Sequence, residues 1–184
     1  MTAPWFGAVL TGGASTRMGE DKALLKLEGT AMAVRVADAL RAGGAADVAC
    51  VGLAVSGEHG VVDRHPGDGP LGGILTALDW AAGRGVVVVA PCDLLTPDPS
   101  AFAALAAAAT SESPVAVPTV DRPLPIAVHP SALPDLRAAW VDGERSIRGA
   151  VRGIARTVVP MPQAAVADAD VPEDLPSGAG RRSR

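Results

Sequence analysis

Four β-branched residues stand in a row at Val86-Val87-Val88-Val89. A strand with one wet face alternates apolar and polar residues, so an unbroken run belongs to a strand covered on both faces. Such strands occur where helices lie above and below a sheet, and the rest of the chain supplies them. Short apolar runs at 6–11, 46–53, 60–62, 114–118, 125–128 and 155–159 read as further strands. Residues 30–42, 71–82, 99–109, 131–140 and 146–152 read as helices, several closed by glycine. Strands and helices alternate at βαβ spacing. The expected fold is therefore α/β, a three-layer sandwich around a mostly parallel central sheet, Rossmann-like in plan. Aromatic residues make up only 3% of the chain, so Ala, Val and Leu must fill the core. A length of 184 residues suits one such core and is short for two. One domain over 1–175 is expected, followed by a frayed tail at 176–184 rich in Gly, Ser and Arg.

Sixteen basic residues against 20 acidic ones give a net charge of −4, which offers no global basic field for nucleic acid. No apolar run approaches a membrane span. The start MTAPWFGAVL lacks a basic region and a cleavage signal, so the expected location is the cytoplasm. Cys50 and Cys92 each sit within apolar runs and read as buried, reduced thiols.

The densest chemical information follows the first strand, in Leu10-Thr11-Gly12-Gly13-Ala14-Ser15-Thr16-Arg17-Met18-Gly19-Glu20-Asp21-Lys22. Glycines let backbone N–H groups turn toward a polyphosphate, while Arg17 adds a fork of donors and Lys22 a point charge. Neither G-x-G-x-x-G nor the G-K-[ST] ending of a P-loop is present, so the loop is a different phosphate cradle. A carboxylate, Asp93, stands just past the valine run in VVVVAPCDLLTPD, on the rim expected to carry the glycine loop. It is the hard oxygen ligand that Mg²⁺ needs beside phosphates. His129, alone at a strand end, receives no functional role.

The segment LTGGASTRMGEDK resembles the signature L-[AT]-G-G-x-S-x-R-M-G-x-D-K of the molybdenum cofactor guanylyltransferase family, within the NTP-transferase-like α/β proteins. Further likenesses follow in order. Pro91-Cys92-Asp93 matches a P-C-D whose Asp binds magnesium. Asp63 through Gly73 is similar to a D-x(n)-G-P-L-[AG]-G segment, in which Asp63 or, with the gap placed differently, Asp68 meets the nucleotide. Glu144-Arg145 resembles a G-E-R motif, and Arg145 and Arg148 are expected to face an anionic pterin phosphate. The resemblance implies nucleotide contacts at Leu10, Thr11, Gly12, Gly13, Lys22, Gly52, Asp63 and Asp93, with Arg17, Lys22 and Asp93 catalytic.

Two departures stand out. Where the family ends in N-x-N-[TS]-P-E-[DE]-L, this chain has Asp168-Ala169-Asp170-Val171-Pro172-Glu173-Asp174-Leu175. An ionised Asp only accepts hydrogen bonds where Asn also donates, so these positions do different work. Asp168 and Asp170 are expected near the acceptor, Asp170 also as a second Mg²⁺ contact. The family's frequent Asn after the second strand is replaced within Val51-Gly52-Leu53. The resemblance implies GTP and molybdopterin as substrates, Mg²⁺ as cofactor and transient contact with molybdoenzymes or their chaperones. The alternatives are a cytidylyltransferase for molybdopterin, a relative acting on a sugar phosphate or phospholactate, and a non-catalytic nucleotide-binding partner of molybdoenzymes.

Overall fold

A computed structural model of the chain describes residues 3–12, 21–119 and 121–167. Gly13, Arg17, Asp168, Asp170 and the expected tail at 176–184 lie outside the described residues. Among the described residues the chain forms β1 (Trp5–Leu10), β2 (Lys26–Leu27), β3 (Thr30–Ala31), α1 (Met32–Ala42), β4 (Val48–Val51) and β5 (His59–Val61). There follow α2 (Pro70–Ala81), β6 (Val86–Pro91), α3 (Pro99–Ala108), β7 (Val115–Val117), β8 (Ile126–Val128), α4 (Leu133–Val141), α5 (Ile147–Ala150) and β9 (Arg156–Val158).

Seven strands make one sheet in the order β5-β4-β1-β6-β8-β7-β9. Pairing is parallel except where β8 meets β6 and β7, so the sheet is mostly parallel, as expected. The valine run shows why. Val87 and Val89 pack with Phe6, Ala8 and the buried faces of α2, α4 and α5. Val88, with Ala90, packs on the opposite side with Val9, Cys50 and residues of α1 and α3. Both faces of β6 are thus dry, and alternation has nothing to mark.

The short β2–β3 hairpin went unread in the sequence, where 30–42 is a single helical stretch. Its turn, Glu28-Gly29, has φ of 53° and 84°. Positive φ at both central residues is the type I′ geometry that matches the twist of a two-residue hairpin. Glycine announces such a turn, but a glutamate before it does not. Strands of two residues also give periodicity nothing to act on. The stretch at 131–140 likewise starts differently: a 3₁₀ turn, Pro130–Ala132, precedes α4. His129 caps that turn, its Nδ1 accepting from Ser131 N at 3.2 Å, which is a structural duty. No helix of the described residues is long and apolar enough to cross a membrane.

Candidate active site

Register fixes which loops share a rim. Leu10 pairs with Val51 on one side and Pro91 on the other, and Val51 pairs with Val61. The carboxyl ends of β1, β4, β5 and β6 therefore stand level, and the segments after Leu10, Val51, Val61 and Pro91 emerge together. Because β8 runs the opposite way, with Ile126 beside Val89, the segment leading into it reaches the same rim.

The first two segments meet in backbone contact. Val51 O accepts from Thr11 N at 2.9 Å and from Gly12 N at 3.2 Å. The buried Thr11 hydroxyl lies 3.0 Å from Val51 O and 2.8 Å from Leu53 O. Gly52 has φ +112°, and a Cβ there would stand 2.5 Å from Gly12 N. Only a glycine permits this approach. Thr11 is thus a clip between loops as well as a wall residue of the cavity.

That cavity, of about 620 Å³, is walled by Leu10, Thr11, Gly12, Asp21, Gly52 and Asp63, together with Leu53, Val62 and the turn Pro66-Gly67. Its size falls in the range of roughly 300–1,000 Å³ typical of small-molecule sites. Asp63 is held by its Oδ1, which accepts from His65 N and from Thr76 Oγ1, each at 3.0 Å. Thr76 is a buried hydroxyl on α2, and sequence reasoning gave it no part. Its signal was faint: one polar residue among the apolar positions of a helix.

Lys22, next in the chain to Asp21 of this wall, and Asp93, 71 positions further on, come together. Lys22 Nζ donates to Asp93 Oδ2 at 3.0 Å, with side chains 19% and 16% exposed. Lys22 opens a 3₁₀ turn, Lys22–Leu24, that follows the glycine loop. Asp93 follows directly on β6. Arg35, on α1, ties down the next stretch, donating from Nη2 to Leu95 O at 3.3 Å. Burial pushes the neighbouring Cys92 thiol up to about 12, and the Asp93 carboxylate pushes the same way. Cys92 is therefore a packed, protonated thiol and no nucleophile.

A second cavity of about 530 Å³ is lined by Pro91, Leu94, Arg122, Leu124, Ser146 and Arg148. Pro70 lines both cavities. Lys22 is one residue from Asp21, in the first wall, and Asp93 is one residue from Leu94, in the second. Each member of the ion pair is thus next in the chain to a wall residue of one cavity. Arg148 donates from Nη2 to Asp121 O at 2.8 Å, which sets its guanidinium on this wall. Arg145, expected from sequence to meet an acceptor, is not a wall residue of the second cavity. Its Nη1 donates to Trp140 O at 2.8 Å, and the guanidinium carbon lies 3.8 Å from the Trp140 ring centroid. Glu144, expected as part of the same motif, folds back on the turn before α5, whose N-cap is Ser146. Its carboxylate accepts from Ser146 N and Oγ and from Arg145 N, which hold it below the usual carboxylate range.

Comparison with known proteins gives the family and the fold. A family model described as MobA-like NTP transferase domain matches residues 7–159. A protein of Opitutus terrae named "Probable molybdenum cofactor guanylyltransferase" is 34% identical over 91% of each chain. A molybdenum cofactor guanylyltransferase of Xanthomonas euvesicatoria is 42% identical, but over 95 residues; the match spans about half the length of both proteins. Among solved structures, molybdopterin-guanine dinucleotide biosynthesis protein A of Archaeoglobus fulgidus superposes with a TM-score of 0.73 at 22% identity, covering 92% of this chain and 94% of the other. A Methanothermobacter nucleotidyl transferase gives 0.75 at 18% identity, covering 94% of each. At those identities the likeness speaks for the fold.

Proposed function

The chain belongs to the MobA-like NTP transferase domain family, and from that premise we propose that it is a molybdenum cofactor guanylyltransferase. It would transfer GMP from GTP to the phosphate of molybdopterin with release of pyrophosphate. The observation that carries this reading is the Lys22–Asp93 pair, 3.0 Å apart on the rim, with Lys22 next to Asp21 of the first cavity and Asp93 next to Leu94 of the second. A donor nucleotide in the first cavity and an acceptor in the second would turn their phosphates toward that pair.

In this reading Leu10, Thr11, Gly12 and Gly52 shape the nucleotide cavity, and Asp63 meets the nucleotide. Lys22 neutralises phosphate oxygens, a duty assigned also to Arg17, while Gly13 is assigned a nucleotide contact; both lie outside the described residues. Arg122 and Arg148 supply positive charge on the acceptor side. Asp168 and Asp170, also outside the described residues, are assigned to that side as well. The acceptor phosphate is already largely ionised near neutral pH, so it needs no strong base. Its oxygen bonds to the α-phosphorus as the bond to the pyrophosphate oxygen breaks, with the two oxygens in line. The chain's contribution is orientation and charge neutralisation, with no covalent intermediate on the protein.

Magnesium fits the residues present. Asp93 offers a hard carboxylate oxygen, and no group of three or more His, Cys, Asp or Glu forms a ready cage among the described residues. That donor set suits an ion that takes one or two carboxylates and leaves its other positions to water and phosphate. When bound, the ion supplies charge neutralisation at the phosphates. No special activating partner for a base or nucleophile is required of the chain.

Pyrophosphate release with purified protein, molybdopterin and a panel of nucleoside triphosphates tests the reading. GTP with Mg²⁺ is expected to turn over fastest; CTP ahead of GTP overturns the guanylyl assignment. Lys22→Ala and Asp93→Ala are each expected to lose turnover by roughly 10²–10³-fold, the scale of one transition-state charge contact. Turnover at the unsubstituted rate in both removes the ion pair from the mechanism.

A further inference from the structure

His65, Trp140 and Arg145 form a stack that the chemistry above leaves without a task. The ring centroids of His65 and Trp140 are 4.5 Å apart at 46°. Arg145 lies over Trp140, its guanidinium carbon 3.8 Å from the ring centroid. Gly72, inside α2, makes room for both rings: a Cβ there would stand 2.6 Å from His65 Cβ and 3.3 Å from Trp140 Cη2. Gly69, with φ +84°, likewise lets the nucleotide-side turn approach Arg145, whose O lies 3.0 Å from where its Cβ would be.

The stack touches both halves of the site. His65 is the residue whose N–H holds Asp63 Oδ1 at 3.0 Å, and it leads into Pro66, Gly67 and Gly69 of the first wall. Arg145 leads into Ser146, Ile147 and Arg148 of the second. Between them stands the Trp140 ring, at the end of α4 and anchored by a helix whose Leu136 is buried in the core. A large rigid ring ordered by two polar neighbours is suited to fixing loops that carry few apolar contacts of their own.

We propose that Trp140 is a positioning residue: acting through His65, it holds the loop at 63–69 in the geometry that lets Asp63 meet the nucleotide. This rests on the first cavity being the nucleotide site, yet one arm of its test does not. Amide hydrogen exchange in the protein without nucleotide is expected to quicken at residues 63–69 in Trp140→Leu, while β1 and β6 keep their protection. Trp140→Phe, which keeps a ring against His65, is expected to restore protection. Arg145→Gln, which removes the cation and leaves the ring, provides a second variant should Trp140→Leu not fold, and is expected to loosen the same loop more weakly. In turnover, Trp140→Leu is expected to raise the nucleotide KM about tenfold with kcat held within about threefold, the split of a residue that orders a binding loop. Exchange at 63–69 that is unchanged in these variants overturns the proposal, as does an unchanged nucleotide KM. A wild-type chain that binds no nucleoside triphosphate sinks the functional reading instead, and the exchange result still decides the stack.

Discussion

Gly52 is where a single atom decides the most. Its φ of +112° is reached at low cost without a side chain, and its neighbour across the gap is the backbone of Gly12, which cannot yield. Gly52→Ala is expected to lower stability by about 1–3 kcal/mol from backbone strain alone. Because the displaced atoms wall the nucleotide cavity, nucleotide affinity is expected to fall as well. Thermal melting and nucleotide titration on one preparation check both; a normal melt with normal affinity contradicts the contact. Gly52 was legible in sequence only through the resemblance, since one glycine between Val51 and Leu53 says nothing about a partner 40 residues upstream. Lys22 and Asp93 were legible by chemistry, one as a cation closing a glycine loop and the other as a carboxylate just past an apolar strand. Their 3.0 Å separation was not. Arg145 shows another case: its charge suggested an anion, and its stacking on an indole 5 residues away was not legible.

Among the elements, helix boundaries followed local chemistry closely. α3 opens at Asp98, whose Oδ1 accepts from Ser100 N at 2.8 Å, with Pro99 as the first helical residue. Those bonds, the Ser100 hydroxyl first, hold the Asp98 carboxyl below its ordinary value. Asp98→Ala is expected to cost about 1 kcal/mol, the usual loss of an N-cap. The deficit should appear in urea unfolding near neutral pH, and in the wild type it should shrink as pH falls through the lowered Asp98 value. A folded pKa below the unfolded one means that this stability is present above the unfolded value and is lost on acidification. Equal stability of wild type and variant at pH 7 refutes the cap. The sequence marks this start because capping is local: Asp, Pro and Ser lie within three residues. It does not mark β2 and β3, since a two-residue strand is defined by its partner.

For the molecule as a whole, the sheet protects two thiols. Cys50 is fully buried on β4. Burial raises its pKa from 9.0 to about 11, and burial also takes Cys92 to about 12. The folded chain therefore holds these protons more tightly than the unfolded chain does. Their contribution to stability is complete below pH 9.0 and is lost as pH climbs through about 11 to 12. The chain has no tyrosine to titrate in this window. The double variant Cys50→Ala, Cys92→Ala separates the contributions: its unfolding free energy is expected to fall less steeply between pH 9 and 11 than that of the wild type. Parallel pH profiles would show that the thiols are not sheltered. Thiol labelling of the native protein at pH 8 offers a direct companion, expected to be slow until denaturant is added.

The sequence by itself determined what depends on neighbours along the chain. Strand–helix alternation, the double-sided burial of the valine run, the cap of α3, the glycine loop and the carboxylate after β6 all follow from patterns a few residues long. Local sterics and hydrophobic periodicity act at that range. Only the tertiary structure decided which strands lie side by side, that β8 runs against β6 and β7, and hence that its leading segment forms a second cavity on the same rim. Those outcomes are set by side-chain packing between residues far apart in sequence, where the two faces of the sheet must both be filled. The same packing gave Arg145 to Trp140 and placed Lys22 on Asp93.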